Sequence, residues 1–168
     1  MVEDKCRFDF YNPKWEAKIR GFELKETQKN FVFAPSKALD FFKLDGTCFA
    51  VIIFAEEEPI GFFVLDRRTA LKDNIKNKQS IILRSFSIDR HYQGCGYAGA
   101  AMKILPGFVH NHFLEVEEIL LTVHEKNVPA KKLYEKSGFV YNGEFKMGPN
   151  GIEQVMIYSF QSKTGYIM

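Results

Sequence analysis

Ile88-Asp89-Arg90-His91-Tyr92-Gln93-Gly94-Cys95-Gly96-Tyr97-Ala98-Gly99 carries most of what this chain says about its fold. Before it, Ile81 to Ile88 is apolar and β-branched at a strand's length. After it, from Tyr97, the run Ala98-Gly99-Ala100-Ala101-Met102-Lys103-Ile104-Leu105 sets small and apolar residues at helical spacing. Glycines at such a strand-to-helix junction let the backbone close around an anion. Successive free N–H groups converge on a pyrophosphate, and the positive end of the helix macrodipole reinforces them. Glycines also end strands and cap helices for purely structural reasons, so the cluster by itself leaves both readings open.

Two familiar phosphate loops do not fit. There is no Gly-Lys-Ser/Thr for a P-loop, and Gly94, Gly96 and Gly99 meet the dinucleotide spacing only by coincidence. A dinucleotide fold would place this loop after its first strand. Here the next strand, Ile119 to Val123, runs into His124-Glu125, and too little sequence follows for the remaining strands.

Working outward, Asn12-Pro13 reads as a cap and first-turn proline for a short helix through Ile19, and Ser36 as the cap of a second carrying Leu39, Phe41 and Phe42. Thr47 to Ala55 and Ile60 to Asp66 form a hairpin about Glu56-Glu57-Glu58-Pro59, and polar Arg67 to Ser80 reads as an exposed loop. Pro106 should kink or restart the helix after Tyr97. Asn127-Val128-Pro129 opens a further helix that Gly138 ends in a left-handed conformation, and Phe139 to Phe145 with Ile152 to Phe160 closes the fold as a hairpin around Pro149-Asn150-Gly151. The order is helices, strands, βαβα, strands, with no internal repeat, and 1–168 is expected to form one domain.

With 46% apolar residues and 17 Phe among 168, the chain has the composition of a packed globular protein. Its net charge of +2, with both signs interspersed, proposes neither nucleic acid nor an anionic membrane as partner. The longest apolar runs are strand length, far short of the ~20 residues that cross a bilayer. Met1-Val2-Glu3-Asp4-Lys5 has no basic region followed by an apolar one, so a cytoplasmic location is expected. Cys6, Cys48 and Cys95 are scattered and lack metal-ligand spacing, which suits reduced thiols.

Gln93-Gly94-Cys95-Gly96-Tyr97-Ala98 resembles the Gln/Arg-x-x-Gly-x-Gly/Ala element of the GNAT acetyltransferases. Asn127-Val128-Pro129-Ala130-Lys131-Lys132-Leu133-Tyr134-Glu135-Lys136-Ser137-Gly138-Phe139 resembles their Asn-x-x-Ala-x-x-Leu-Tyr-x-x-x-Gly-Phe, one strand further along. The resemblance covers about Cys48 to Phe160 and is loose before that. Phe86-x-Ile88-Asp89 and Asn142-Gly143-Glu144 look most like the bacterial spermidine/spermine branch. The resemblance implies an α/β fold in which a mixed, mostly antiparallel sheet, flanked by about four helices, splays between its fourth and fifth strands. It implies acetyl-CoA as co-substrate, no metal, and a small-molecule amine as acceptor. It places Phe86, Ser87 and Ile88 on the pantetheine arm, Gln93, Gly94, Cys95, Gly96, Tyr97 and Ala98 on the pyrophosphate, and Asn127, Lys131 and Tyr134 near the thiol end. Such domains often pair through sheet edges or their C-terminal hairpin, which makes Tyr158 to Met168 the candidate segment for a homodimer.

Acetyl transfer needs an unprotonated amine, a polarised thioester carbonyl and a stabilised leaving thiolate, with both reactants held together. The resemblance gives Tyr134 the leaving-group role; the alternative is that Leu133 and Tyr134 merely pack a helix on a sheet. Where polyamine-acting relatives carry a strand carboxylate, this chain has Arg84 and then Ser85. The remaining bases are Glu125, Asp89, His91 or a water chain, with Glu125 the leading one, although it also suits a solvated helix start. His110, His112 and His124 read as bystanders, and Cys95 as solvent-facing. Trp15, Phe22, Phe31 and Phe33 lie in the segment that shapes the acceptor pocket in such folds, although core packing accounts for most of them. Three readings follow: a small-amine acetyltransferase with polyamines as leading acceptors, an enzyme for peptide or antibiotic amines, and an acyl-CoA-binding module with little turnover.

Overall fold

The structure, a computed structural model, describes residues 5–42, 44, 46–68 and 79–160. Strands β2 (Cys48–Ala55) and β3 (Glu58–Asp66) form the centre, and their unbroken apolar character follows from burial on both faces. Cys48, Ala50, Ile52, Phe54, Phe62 and Val64 face one layer, while Val51, Ile53, Phe63 and Leu65 face the other. The first layer is closed by α1 (Glu16–Arg20) and α2 (Pro35–Phe41), through Ile19, Phe22, Ala38 and Phe42. The second is closed by α3 (Tyr97–His112), through Ala101, Met102, Leu105 and Val109, with Phe139 beside them.

Strands β1 (Arg7–Phe10), β4 (Ser80–Ile88), β5 (Glu118–His124), β6 (Val140–Gly148) and β7 (Gly151–Ser159) complete a seven-stranded sheet of order β1-β2-β3-β4-β5-β7-β6. Helix α4 (Val128–Lys136) connects β5 to β6. Every pairing is antiparallel except β4 with β5. That parallel pair holds only from Ser80 to Ile82, opposite Glu118 to Leu120, and then parts. Among the described residues the sheet is thus mixed, has four flanking helices and splays between its fourth and fifth strands.

Four local expectations need correction. The N-terminal segment contains β1, an edge strand paired to β2, where only helices were expected. Helix α2 begins one residue before Ser36, with Pro35 in its first turn and Ala34 as N-cap, because proline's fixed φ and missing N–H suit that position. The β2–β3 turn is only Glu56-Glu57, since Ala55 already pairs Glu58. Helix α3 runs unbroken through Pro106. The interior proline costs about 3 kcal/mol, but burying Met102, Leu105 and Val109 returns roughly 1.5–3 kcal/mol for each side chain. Most of the expected loop from Arg67 to Ser80, and the tail beyond Phe160, lie outside the described residues. Among the described residues, no helix is long and apolar enough to cross a membrane.

Candidate active site

The parting of β4 from β5 is built into β4. Val64 pairs Arg84 and Phe62 pairs Ser87, so Ser85 and Phe86 together oppose the single residue Phe63. Ser85 takes a left-handed φ of 54° to make this bulge, a conformation that strains a non-glycine residue by about 1–3 kcal/mol. The bulge swings the last residues of β4 away from β5 and leaves that edge without a strand partner. Gly61 on β3 lets the bent strand approach: a Cβ there would stand 2.7 Å from the Ser87 carbonyl oxygen and 2.9 Å from Ile88 Cδ1.

A cavity of about 350 Å³ fills the gap. It is lined by Phe86, Ser87 and Ile88 from β4, by Gln93, Gly94, Gly96, Tyr97 and Ala98 from the glycine loop and first turn of α3, and by Asn127 and Tyr134. Of the residues assigned above to cofactor contact, Cys95 and Lys131 alone do not line it; Cys95 is exposed. Gly94 and Gly96 adopt φ values of 79° and 86°, and among the described residues the N–H groups of Gly94 through Ala98 donate to no backbone carbonyl. These donors converge at the N-terminus of a 16-residue helix. The buried hydroxyl of Ser87 has no hydrogen-bond partner in the described protein, although it borders the same cavity. Orphaned donors in a row along an extended groove fit a diphosphate joined to an amide-bearing arm.

Gln93 latches the loop shut. Its Nε2 donates to the Ile88 carbonyl at 2.7 Å and to Gln28 Oε1 at 3.0 Å, while Gln28 Nε2 returns a bond to Gln93 Oε1 at 3.2 Å. Asp89 adds a second tie by accepting the Glu23 N–H at 2.9 Å. That bond and the contact with His91 Nδ1 at 3.2 Å occupy both oxygens of its largely buried carboxylate. Asn127 Oδ1 caps α4 by accepting from the Ala130 N–H.

Tyr134, Phe86, Thr122 and His124 also line an adjoining cleft of about 1400 Å³ on the α1–α2 side. Tyr134 is half-buried, and desolvation pushes its phenol up to about 12. Its ring packs against Phe139 at 5.9 Å, and its hydroxyl makes no hydrogen bond within the described protein. His124 is held at both ring nitrogens: the Lys126 N–H donates to Nδ1 at 3.1 Å, so the proton sits on Nε2 and donates to the Asn150 carbonyl at 2.8 Å.

Glu125, the leading base expected from the sequence, is exposed and lines neither space. The carboxylates that do border the wide cleft are Glu23 and Glu153. Glu23 lies 3.5 Å from Arg90. Glu153 stands opposite His124 in the β5–β7 register. Arg84 has a specific reason to be where a carboxylate was expected. Asp66, fully buried on β3, accepts Arg84 Nε at 2.7 Å and Arg68 Nε and Nη2 at 3.1 Å each. Burial alone would raise the Asp66 carboxyl, but the bonds from Arg68 and Arg84 outweigh it and hold the group below the usual carboxylate range. A second carboxylate at position 84 would repel it.

Phe22, Phe31 and Phe33 line the wide cleft, whereas Trp15 packs on Phe54. The Glu56-Glu57-Glu58 tip lies away from both spaces, with Glu58 paired to Lys18 at 2.5 Å. Among the lining residues, the sequence singled out none of Thr122, Gln28 and Glu153, and His124, expected to be a bystander, borders both spaces. An apolar strand ending in an ionisable residue three positions before Asn127 was the available signal for His124.

Residues 9–139 match the model of the acetyltransferase (GNAT) family, a match that includes the N-terminal segment where the resemblance had been loose. The uncharacterized N-acetyltransferase YbbJ of Bacillus subtilis (strain 168) is 34% identical over 161 residues, 95% of this chain and 99% of that protein. The spermine/spermidine N(1)-acetyltransferase of the same organism is 28% identical over 144 residues, 84% of this chain and 90% of that one. The aminoglycoside acetyltransferase AAC(6')-Ib, solved with coenzyme A and kanamycin, superposes with a TM-score of 0.77 at 16% identity, covering 97% of this chain and 99% of that one.

Proposed function

The chain belongs to the GNAT family of acetyltransferases, and on that footing we propose that it transfers an acetyl group from acetyl-CoA to the primary amine of a small molecule, by direct attack while both are bound. One observation carries this reading: a groove of unpaired donors, from Ser87 to the Gly94–Ala98 amides, is also lined by Tyr134, which borders a second, wider space as well. Two substrates can therefore occupy the protein at once, with their reacting ends at the shared wall.

In the reaction the amine nitrogen bonds to the thioester carbon and the C–S bond breaks; the nitrogen's second proton leaves to solvent while the thiolate takes one up, and before attack the ammonium that dominates at pH 7 must lose its first proton. Glu153 borders the acceptor cleft beside the shared wall and takes that proton, directly or through water. Tyr134 acts on the departing sulfur. A thiol has a reference pKa near 8.5. Full transfer of a proton from a phenol at about 12 would be uphill by about 5 kcal/mol. Tyr134 accordingly keeps its proton and stabilises the thiolate by a hydrogen bond, which solvent protonation then follows. The Gly94–Ala98 amides bind the diphosphate and Ser87 the arm.

Names among the relatives point to polyamine and aminoglycoside acceptors; Arg84, in place of the strand carboxylate, speaks against a polycation here. The test is to supply acetyl-CoA with a panel of diamines, amino acids, lysine peptides and aminoglycosides and to follow free thiol. Release of CoA that depends on one class of amine supports the reading. Tight acetyl-CoA binding with no release on any amine replaces it with that of a binding module.

A further inference from the structure

The described walls of the acceptor cleft carry more cationic than anionic side chains, which disfavours a polycation. Among the described residues its walls carry Lys29, Lys37, Arg68, Arg84 and Arg90 against Glu23 and Glu153. Lys29 is offset by Glu26 at 2.6 Å and Arg90 faces Glu23 at 3.5 Å, so these two add little. At Asp66 one buried carboxylate meets both the Arg68 and the Arg84 guanidinium groups. Arg84 meets Asp66 through Nε alone, and its two terminal nitrogens make no hydrogen bond within the described protein. The side chain is 23% exposed, and its guanidinium lies over the Phe42 ring, 5.9 Å from the centroid. A guanidinium anchored at Nε, with its terminal donors free at a cleft wall, is the standard partner of a carboxylate.

We infer that the acceptor is a small primary amine that also bears a carboxylate, and that Arg84, held by Asp66, binds that carboxylate. This rests on the acetyl-transfer reading above and narrows its substrate class. Arg84 acts in positioning: it holds the far end of the acceptor while the amine reaches the wall at Tyr134.

Matched pairs isolate the carboxylate. Lysine and 1,5-diaminopentane, or ornithine and 1,4-diaminobutane, differ by that group and keep the terminal amine. With acetyl-CoA saturating, kcat/KM should favour each amino acid by about tenfold or more, the scale of a charge-assisted pair. Arg84→Gln should bring the ratio close to one mainly by raising KM, and Arg84→Lys should restore part of it. Melting temperature with coenzyme A shows that each variant folds and keeps the nucleotide site. Equal or better use of the diamines, or an unchanged ratio in Arg84→Gln, overturns the inference. Should no amine be acetylated, the transfer reading fails, and the binding arm decides this one. Lysine raising the melting temperature of the CoA complex more than 1,5-diaminopentane, with the difference abolished by Arg84→Gln, supports the carboxylate site, and equal shifts reject it.

Discussion

Replacing Tyr134 by Phe removes one oxygen from the wall shared by the two spaces, and the consequences can be worked out in advance. The hydroxyl has no partner in the described protein and the ring keeps its contact with Phe139, so stability at neutral pH should change by less than about 1 kcal/mol. Acetyl-CoA affinity should be unchanged, because the donors proposed to hold the diphosphate and the arm lie elsewhere. A hydrogen bond to an anionic sulfur is worth about 1.5–3 kcal/mol, which at 1.36 kcal/mol per decade lowers kcat about 10- to 150-fold. Had the phenol transferred its proton outright, the loss would reach about 10²–10⁴-fold. The assay is free-thiol release at saturating acetyl-CoA, with KM for the amine recorded alongside. A kcat within threefold of the parent refutes any part for Tyr134, and a loss beyond a thousandfold refutes the hydrogen-bond role in favour of proton transfer. The pH dependence follows from the same burial. Folding raises this pKa from 10.0 to about 12, so the protonated phenol contributes stability that is complete below pH 10 and is lost as pH rises from 10 toward 12. The parent should lose on the order of 2 kcal/mol relative to Tyr134→Phe across that window, as measured by denaturant unfolding.

Glu153→Gln should reduce kcat at pH 7 by about 10²-fold or more and recover as pH approaches the amine pKa near 10, where the acceptor arrives already deprotonated. Equal kcat at pH 7 would remove Glu153 from the mechanism. Gly61→Ala places a methyl 2.7 Å from the Ser87 carbonyl and 3.0 Å from Ile53 Cδ1, so it should cost about 1–3 kcal/mol in stability and weaken acetyl-CoA binding by displacing β4. Wild-type stability together with wild-type affinity would show that the strand yields without cost.

Much of the fold is legible locally. The glycine loop between β4 and α3 is legible as a turn because its backbone needs positive φ at Gly94 and Gly96, a demand satisfied within six residues of sequence. Gly138 ends α4 in the same way at φ 96°. Strands β2 and β3 are buried on both faces and so appear as continuous apolar runs. Strand β1 escaped notice because four residues at a sheet edge, with only Phe8 partly buried, leave almost no period to detect.

The chemistry of the site was less accessible. Sequence alone established the donor loop, the Tyr134 helix and the presence of an arginine where a base was sought, because each belongs to one contiguous segment. That Arg84 answers Asp66, that Glu153 rather than Glu125 borders the cleft, and that Phe31 stacks 4.9 Å from His124 were decided only by tertiary structure. Those contacts depend on the register of β3 with β4 and of β5 with β7 and on the return of the N-terminal segment across the sheet. Residues far apart in the chain carry no local pattern of their meeting, because strand pairing is selected by the packing of the whole core.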